Sequence, residues 1–332
     1  MSNLKCLYLV DKLSYVQENC FQSQLFSAIR YGYDVTPVEL FPRALFGFRS
    51  SRINLDKYDR IISVLRLRTL SKYWPLLKSW LNGRPITIYD QDPWESYIDN
   101  SPIKGVYLTL LDNLNLERVF VTAPWWARKL IEDGLPAQFV RMGMSPGFCS
   151  IGPKFEDRSV SVGFRGALHE HRKIIFNQLN GNGVQVVISR DRLAYPEYLD
   201  YLQQLKFFAH DESALPWVCD GVPIPRSTGM WIKSIETVAR GTFCLRNYHE
   251  EGEAYNISSL PLVRCYSNPD EAPEVINSVM AMSPQMRREL QFETVTKIRA
   301  QYDWLHTAVA LVSPEGLADP SPSLTIRSRI NG

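Results

Sequence analysis

The sequence predicts an α/β protein built as two doubly wound halves, each on a mainly parallel sheet. Three observations predict it. Short apolar runs alternate with segments of helical period along most of the chain. A stretch with Pro146, Gly147, Gly152 and Pro153 interrupts that alternation near the middle. At 332 residues the chain also exceeds the size at which one hydrophobic core usually stops growing. The expected division is residues 1–145, a linker at 146–158, residues 159–312 and a tail at 313–332.

In the first half, runs rich in Val, Ile and Leu predict strands at 5–10, 34–38, 60–65, 85–89, 118–122 and 138–142. Helical spacing falls between them at 18–31, 71–81, 103–111 and 124–133, the last opened by Pro124, which fits a first helical turn. The second half repeats the pattern, with strands at 159–164, 184–189, 206–209, 242–245 and 262–266. Its helices are expected at 170–179, 196–204, 230–240 and 269–280, with Gly241 ending the third of them. A final helical pattern covers 284–312. The tail is rich in Ser and Pro, the composition of a segment lying on the surface or partly disordered.

Composition excludes several classes. With 45% hydrophobic and 22% charged residues, and no apolar run near the twenty or so needed to span a bilayer, the chain reads as soluble and globular. Residues 1–5 lead straight into a strand without the features of a signal peptide, so the expected location is the cytosol, with a peripheral position at the inner membrane face as the other one open to it. Six cysteines without a CxxC pair argue against a disulfide framework and against zinc. A net charge of +2 gives no reason to expect nucleic acid as a partner, although Arg43, Arg49, Arg52, Arg66 and Arg68 could still form a local basic groove.

Two motifs stand out in the second half. Val162-Gly163-Phe164-Arg165-Gly166 is a strand end whose glycines suit either close approach to a phosphate or a tight turn, and His171 and Arg172 follow at the start of the next helix. Some sixty residues later, the run from Lys233 to Phe243 places Lys233 and Glu236 on one helix face. Glu236 suits a ligand carboxylate or a surface pair with Arg240 at i+4. His169 and His171 flank Glu170, but no further Cys or His stands at metal-ligand spacing, so no metal is expected. In the first half, Asp90-Gln91-Asp92-Pro93-Trp94 lies at the carboxyl end of a strand, where open α/β sheets bind ligands, and it also suits turn and capping chemistry. Asp11 ends the first strand. Trp125-Trp126 reads as a membrane-facing patch or as core packing.

On these motifs, together with the stretch Val263 to Glu271, residues 160–310 resemble the C-terminal half of GT-B glycosyltransferases, most closely the CgeB-like (spore-maturation-protein-like) branch of the glycosyltransferase-family-1 type. The resemblance implies two Rossmann-like α/β domains facing across a cleft, and a nucleotide-diphosphate sugar held mainly by the second. The sugar would pass to a hydroxyl of a glycan, lipid-linked or small-molecule acceptor, with neither metal nor cofactor. Glu236 would accept hydrogen bonds from the ribose. Arg165, Lys233 and Arg226, with His171 or Arg172, would neutralise the diphosphate, which backbone at Gly166 or Gly229 would also bind beside Gly163. Thr228 stands where retaining relatives carry a second glutamate, so an inverting enzyme with a general base is expected, drawn from Asp92, Asp90 or Asp11, with Trp94 facing a sugar ring.

Other classes remain as alternatives. One is a noncatalytic two-domain protein that binds a nucleotide or sugar; a lesser one is a DNA-modifying glycosyltransferase. A nicotinamide dehydrogenase is disfavoured because residues 7–13 carry no glycine fingerprint.

Overall fold

The computed structural model describes residues 4–17, 21–40, 53–226 and 232–313. The expectations for Arg43, Arg49 and Arg52, for Thr228 and Gly229, and for the tail beyond 313 lie outside the described residues.

The first sheet has six parallel strands in the order β2-β1-β3-β4-β5-β6, with β1 Lys5–Val10, β2 Asp34–Glu39, β3 Arg60–Ser63, β4 Ile86–Asp90, β5 Leu116–Val121 and β6 Ala137–Phe139. The second has five parallel strands, β13-β12-β9-β7-β8, with β7 Val160–Arg165, β8 Val186–Ser189, β9 Leu205–Ala209, β12 Phe243–Asn247 and β13 Val263–Tyr266. Strand order reverses between β1 and β3 in the first sheet and between β7 and β9 in the second. Each sheet therefore has a topological switch point, with its crevice at the carboxyl ends of the strands. The uninterrupted apolar runs follow from burial on both faces: Cys6 to Val10 of β1 are all at 0% exposure.

The helical expectation for 284–312 is corrected. The helix Pro284–Gln301 stops, and a separate helix Leu305–Val312 runs back onto the first half, against the helix Phe21–Gly32. The break has a physical cause in the backbone at 302–304. The carbonyl of Tyr302 accepts from the Met144 N–H at 2.7 Å instead of continuing the helix, and Asp303 caps the new helix through the Leu305 N–H at 3.1 Å. This approach needs Gly143, because a Cβ there would lie 2.8 Å from both Trp304 N and Tyr302 O. Thr307 Oγ1 then donates to Arg141 O at 2.6 Å, and Arg60 Nε to Val312 O at 3.3 Å, so the end of the described chain is bonded to the first half.

A short antiparallel hairpin, β10 Trp217–Cys219 and β11 Val222–Ile224, was not expected from the sequence. Asp220-Gly221 forms its turn, with φ of 51° and 76°, as a two-residue hairpin requires. Although it belongs to the second half, it docks on the first. Val218 O accepts from Asp99 N at 2.9 Å, while the Asp99 carboxylate accepts from the N–H groups of Asp220 and Gly221, both at 3.0 Å.

Gly241 ends the helix Ile232–Ala239 with φ +68°, and a Cβ there would sit 2.2 Å from Ile151 O. Gly241→Ala is therefore expected to cost about 2–4 kcal/mol, from left-handed strain and overpacking together. A urea unfolding midpoint indistinguishable from that of the parent would refute this. Among the described residues no helix is long and apolar enough to cross a membrane, and no group of three or more His, Cys, Asp or Glu could hold a metal ion.

Candidate functional site

Charged side chains concentrate at the carboxyl edges of both sheets. In the second sheet the centre is Glu212, three residues beyond β9. Its carboxylate lies 2.9 Å from His171 Nε2, accepts from Arg172 Nε at 3.1 Å and from Arg172 Nη2, and stands 3.6 Å from His210 Nε2. Burial opposes its charge, but His171, His210 and Arg172 outweigh burial and hold the carboxyl far below the usual glutamate range. Burial, followed by Arg172, pushes His169 down, which favours the neutral imidazole. Arg226 donates from Nε to Leu215 O at 2.9 Å, lies 5.3 Å from the centre of the Trp217 ring, and is near enough to feel both Glu212 and Arg172. Arg246 binds Ser234 Oγ at 2.7 Å, and Tyr266 donates to Asp211 at 2.7 Å. One strongly acidic carboxylate thus shares the edge with several guanidiniums and imidazoles, an arrangement suited to an anion.

Sequence reasoning placed His171, Arg172 and Arg226 here but missed His210, Asp211, Glu212 and Arg246. The signal available for the first three was their position just past the strand at 206–209, at the end of the strand where ligands gather. Other expected donor residues are engaged differently. Gly163 has a packing reason, since a Cβ would lie 2.6 Å from Leu205 Cδ2 and 2.9 Å from Tyr201 Oη. The Gly166 N–H donates to Ser189 O at 3.2 Å, so it is already bonded. Arg165 donates to Asp191 O at 2.7 Å and lies 4.5 Å from the centre of the Tyr201 ring.

Glu236 is 3% exposed, with Lys233 Nζ at 3.2 Å and that ammonium over the Tyr198 ring at 4.0 Å. Arg240 does not pair with it. It binds Asp200 at 2.9 Å and the carbonyls of Phe148 and Leu199. The Tyr195 hydroxyl faces both Glu236 and Gln24, and Gln24 accepts from Ser145 N at 2.7 Å. Glu236 consequently stands where the helices Tyr195–Gln203 and Ile232–Ala239 meet Phe21–Gly32 of the first half.

At the first sheet's edge, Asp11 accepts from Arg66 N at 3.1 Å, from Arg66 Nε at 3.3 Å and from Thr69 Oγ1. Both carboxylate oxygens are thus committed at the start of the helix Leu67–Leu81. Asp90 ends β4 and is 4% exposed; it accepts from Tyr107 Oη at 2.6 Å and from Asp92 N at 3.0 Å. Burial pushes its carboxyl up to about 7. Burial also raises Asp92, which accepts from Trp94 Nε1 at 3.1 Å. Arg68 holds Glu95 through Nε at 3.0 and 3.1 Å. Trp94 stacks on Trp217, with centroids 5.2 Å apart and planes at 16°, so one face of Trp94 is covered. Trp126 is fully buried, as the core-packing reading of Trp125-Trp126 requires.

The raised Asp90 carboxyl makes stability depend on pH. Between about pH 4 and pH 7 the unfolded chain loses this proton while the folded chain keeps it, so the residue's contribution to stability falls as pH rises through that window. Asp90→Asn should accordingly gain on the parent with rising pH, by up to about 4 kcal/mol above pH 7. Urea midpoints at pH 5 and pH 8 check it, and an equal difference at both would contradict the burial of this charge.

No family model matches the chain, and no curated protein matches it in sequence. Solved structures do match, over nearly the whole length and at low identity. Sucrose-phosphate synthase from Thermosynechococcus elongatus shares 11% identity with a TM-score of 0.60, over 92% of this chain and 96% of its own. Anabaena HepE, crystallised with UDP and glucose, shares 12% with a TM-score of 0.58, over 92% and 97%. The phage T4 β-glucosyltransferase shares 12% with a TM-score of 0.56, over 93% and 100%. The fold is GT-B, as the resemblance in the second half implied.

Proposed function

We propose that this GT-B chain is a glycosyltransferase that moves a sugar from a nucleotide-diphosphate donor to a hydroxyl acceptor, without a metal. The observation that supports this most is the cationic edge around Glu212, beside the helix carrying Lys233 and Glu236, in a fold whose solved neighbours include enzymes of sugar transfer. In this reading residues 159–312 hold the donor and residues 1–145 the acceptor, and the kinship with the CgeB-like branch stays part of the proposal. The acceptor is a glycan, a lipid-linked sugar or a small molecule, and the protein works in the cytosol.

Ribose hydroxyls donate to Glu236, taking the place of the Tyr195 hydroxyl. Arg172, Arg226, His171 and Lys233 surround the diphosphate, so the negative charge that grows on the leaving nucleoside diphosphate meets positive groups already in position. The acceptor oxygen attacks the anomeric carbon, the bond from that carbon to the diphosphate oxygen breaks, and its electron pair leaves with the nucleotide. The acceptor proton passes to Asp92, with Asp90 behind it holding the Asp92 N–H. Asp11 is left with a structural task at the helix start.

HepE with UDP and glucose, and an Escherichia coli trehalose-6-phosphate protein bound to UDP-2-fluoro-glucose, make uridine nucleotides the first to try. Melting temperatures measured with a panel of nucleoside diphosphates and their sugars test the reading, because a ligand of the folded state raises the midpoint. Stabilisation by one nucleotide series is expected, and silence across the panel would overturn it. A noncatalytic sensor differs in one respect: it would bind the donor and never consume it.

A further inference from the structure

The hairpin Trp217–Ile224 brings a side chain of the second half to a candidate catalytic group of the first. Trp217 is nearly buried and stacks on Trp94 at 5.2 Å, with Trp126 tilted beside it at 5.9 Å and Arg226 at 5.3 Å from its ring centre. The hairpin is anchored to the loop that follows Trp94 through three hydrogen bonds with Asp99, one from its backbone N–H and two to its carboxylate, and Lys104 binds Asp220 at 2.8 Å. Trp94 in turn has one hydrogen-bond donor in its ring, and Nε1–H is directed at Asp92 Oδ1 at 3.1 Å.

We infer that Trp217 is a positioning residue for Asp92, acting through Trp94: the stack fixes the Trp94 indole plane so that its N–H stays on the carboxylate. The inference rests on the proposed role of Asp92 for its meaning in catalysis, but its physical content does not. An indole held by stacking at low interplanar angle loses the ring rotations that would carry Nε1 away from its acceptor, and offset stacking of two large rings supplies the restraint. Arg226, at the proposed donor side, lies 5.3 Å from the centre of the Trp217 ring in that stack. Besides Trp94, the titratable and charged groups around the Asp92 carboxylate are Asp90 and Glu95 on its own segment, Arg66 and Arg68 at the start of the helix Leu67–Leu81, and the neutral phenols of Tyr89 and Tyr107. The Trp94 bond favours the ionised form against burial, as does the pair of arginines, so removing the bond must raise the pH at which Asp92 loses its proton.

The test is a carbon-13 NMR titration of the full chain labelled at the aspartate carboxyl carbons, in which the resonance lost in Asp92→Asn belongs to Asp92. Trp94→Phe keeps an aromatic ring against Trp217 and deletes the donor. Its Asp92 midpoint is expected to rise by about one pH unit, the low end for a hydrogen bond to a charged group. Trp217→Leu leaves Trp94 in place but removes the stack, and should move the midpoint in the same direction by a smaller amount, with Trp217→Phe restoring part of the shift. An unmoved midpoint in Trp94→Phe would overturn the bond's effect on Asp92, and an unmoved midpoint in Trp217→Leu would overturn the positioning by the stack. Donor-induced thermal stabilisation of Trp94→Phe reports separately on the proposed function, because Trp94 touches no group assigned to the donor, whereas Trp217 also lies against Arg226. Loss of turnover in Asp92→Asn decides the base assignment independently of both.

Discussion

Asp92→Asn is expected to lower turnover by roughly 10²–10⁴-fold while leaving donor affinity within about twofold of the parent, the range for loss of a positioned general base. The asparagine keeps the shape of the residue and can still accept the Trp94 N–H, but it cannot take the acceptor proton. Steady-state rates with donor and acceptor both saturating, set beside calorimetric donor binding, separate the two effects. The parent's rate should also rise with pH along an acid limb, because burial lifts Asp92 above its ordinary value and the carboxylate, not the acid, is the active form. A rate retained in Asp92→Asn would move the base to Asp90, whose carboxyl sits up at about 7 beneath Tyr107. Rates retained in both variants would leave the noncatalytic reading in force.

The second large effect is expected at Glu236. Replacement by alanine removes the carboxylate proposed to accept from the ribose and leaves Lys233, 3.2 Å away, without its partner. Donor affinity should fall by about 10–150-fold, corresponding to about 1.5–3 kcal/mol for hydrogen bonds to a charged group. Glu236→Gln, which retains one acceptor oxygen, should lose less than the alanine variant. Calorimetry with the nucleoside diphosphate alone is the direct measurement, since the ribose contact does not need the sugar. Unchanged affinity in both variants would remove Glu236 from the donor site and return it to a buried pair with Lys233.

Most of the fold was legible in the sequence. Parallel strands buried on both faces must be apolar at every position, and runs such as Cys6 to Val10 carry that requirement without reference to anything distant. The same holds for the helix Ile232–Ala239 and the Gly241 that ends it, where a positive φ demands glycine. The hairpin Trp217–Ile224 was not legible. Its strands are three residues long, and docking on Asp99 maintains them more than any pattern of their own. Nor was the break at Tyr302 to Trp304, because the helical period runs through it and only the approach of Gly143 and Met144 diverts the backbone.

For the candidate site, the sequence marked strand ends and left their pairings open. Asp11, Asp90 and Asp92 all stand at or just beyond strand ends of one sheet, yet Asp11 is bound on both oxygens by Arg66 and Thr69, while Asp90 is buried against Tyr107. Those differences arise from residues 17 to 58 positions away along the chain, beyond the reach of any local pattern.

The order of apolar and polar residues by itself determined that this chain forms two parallel α/β halves, because periodicity and burial of an element are written within the element. Only the tertiary structure decided that Glu212 gathers His171, Arg172 and His210, that Asp200 draws Arg240 away from Glu236, and that Trp217 crosses to Trp94. Those choices depend on distances of a few ångströms between segments far apart in the chain, and on how burial weighs each charge once the segments have met.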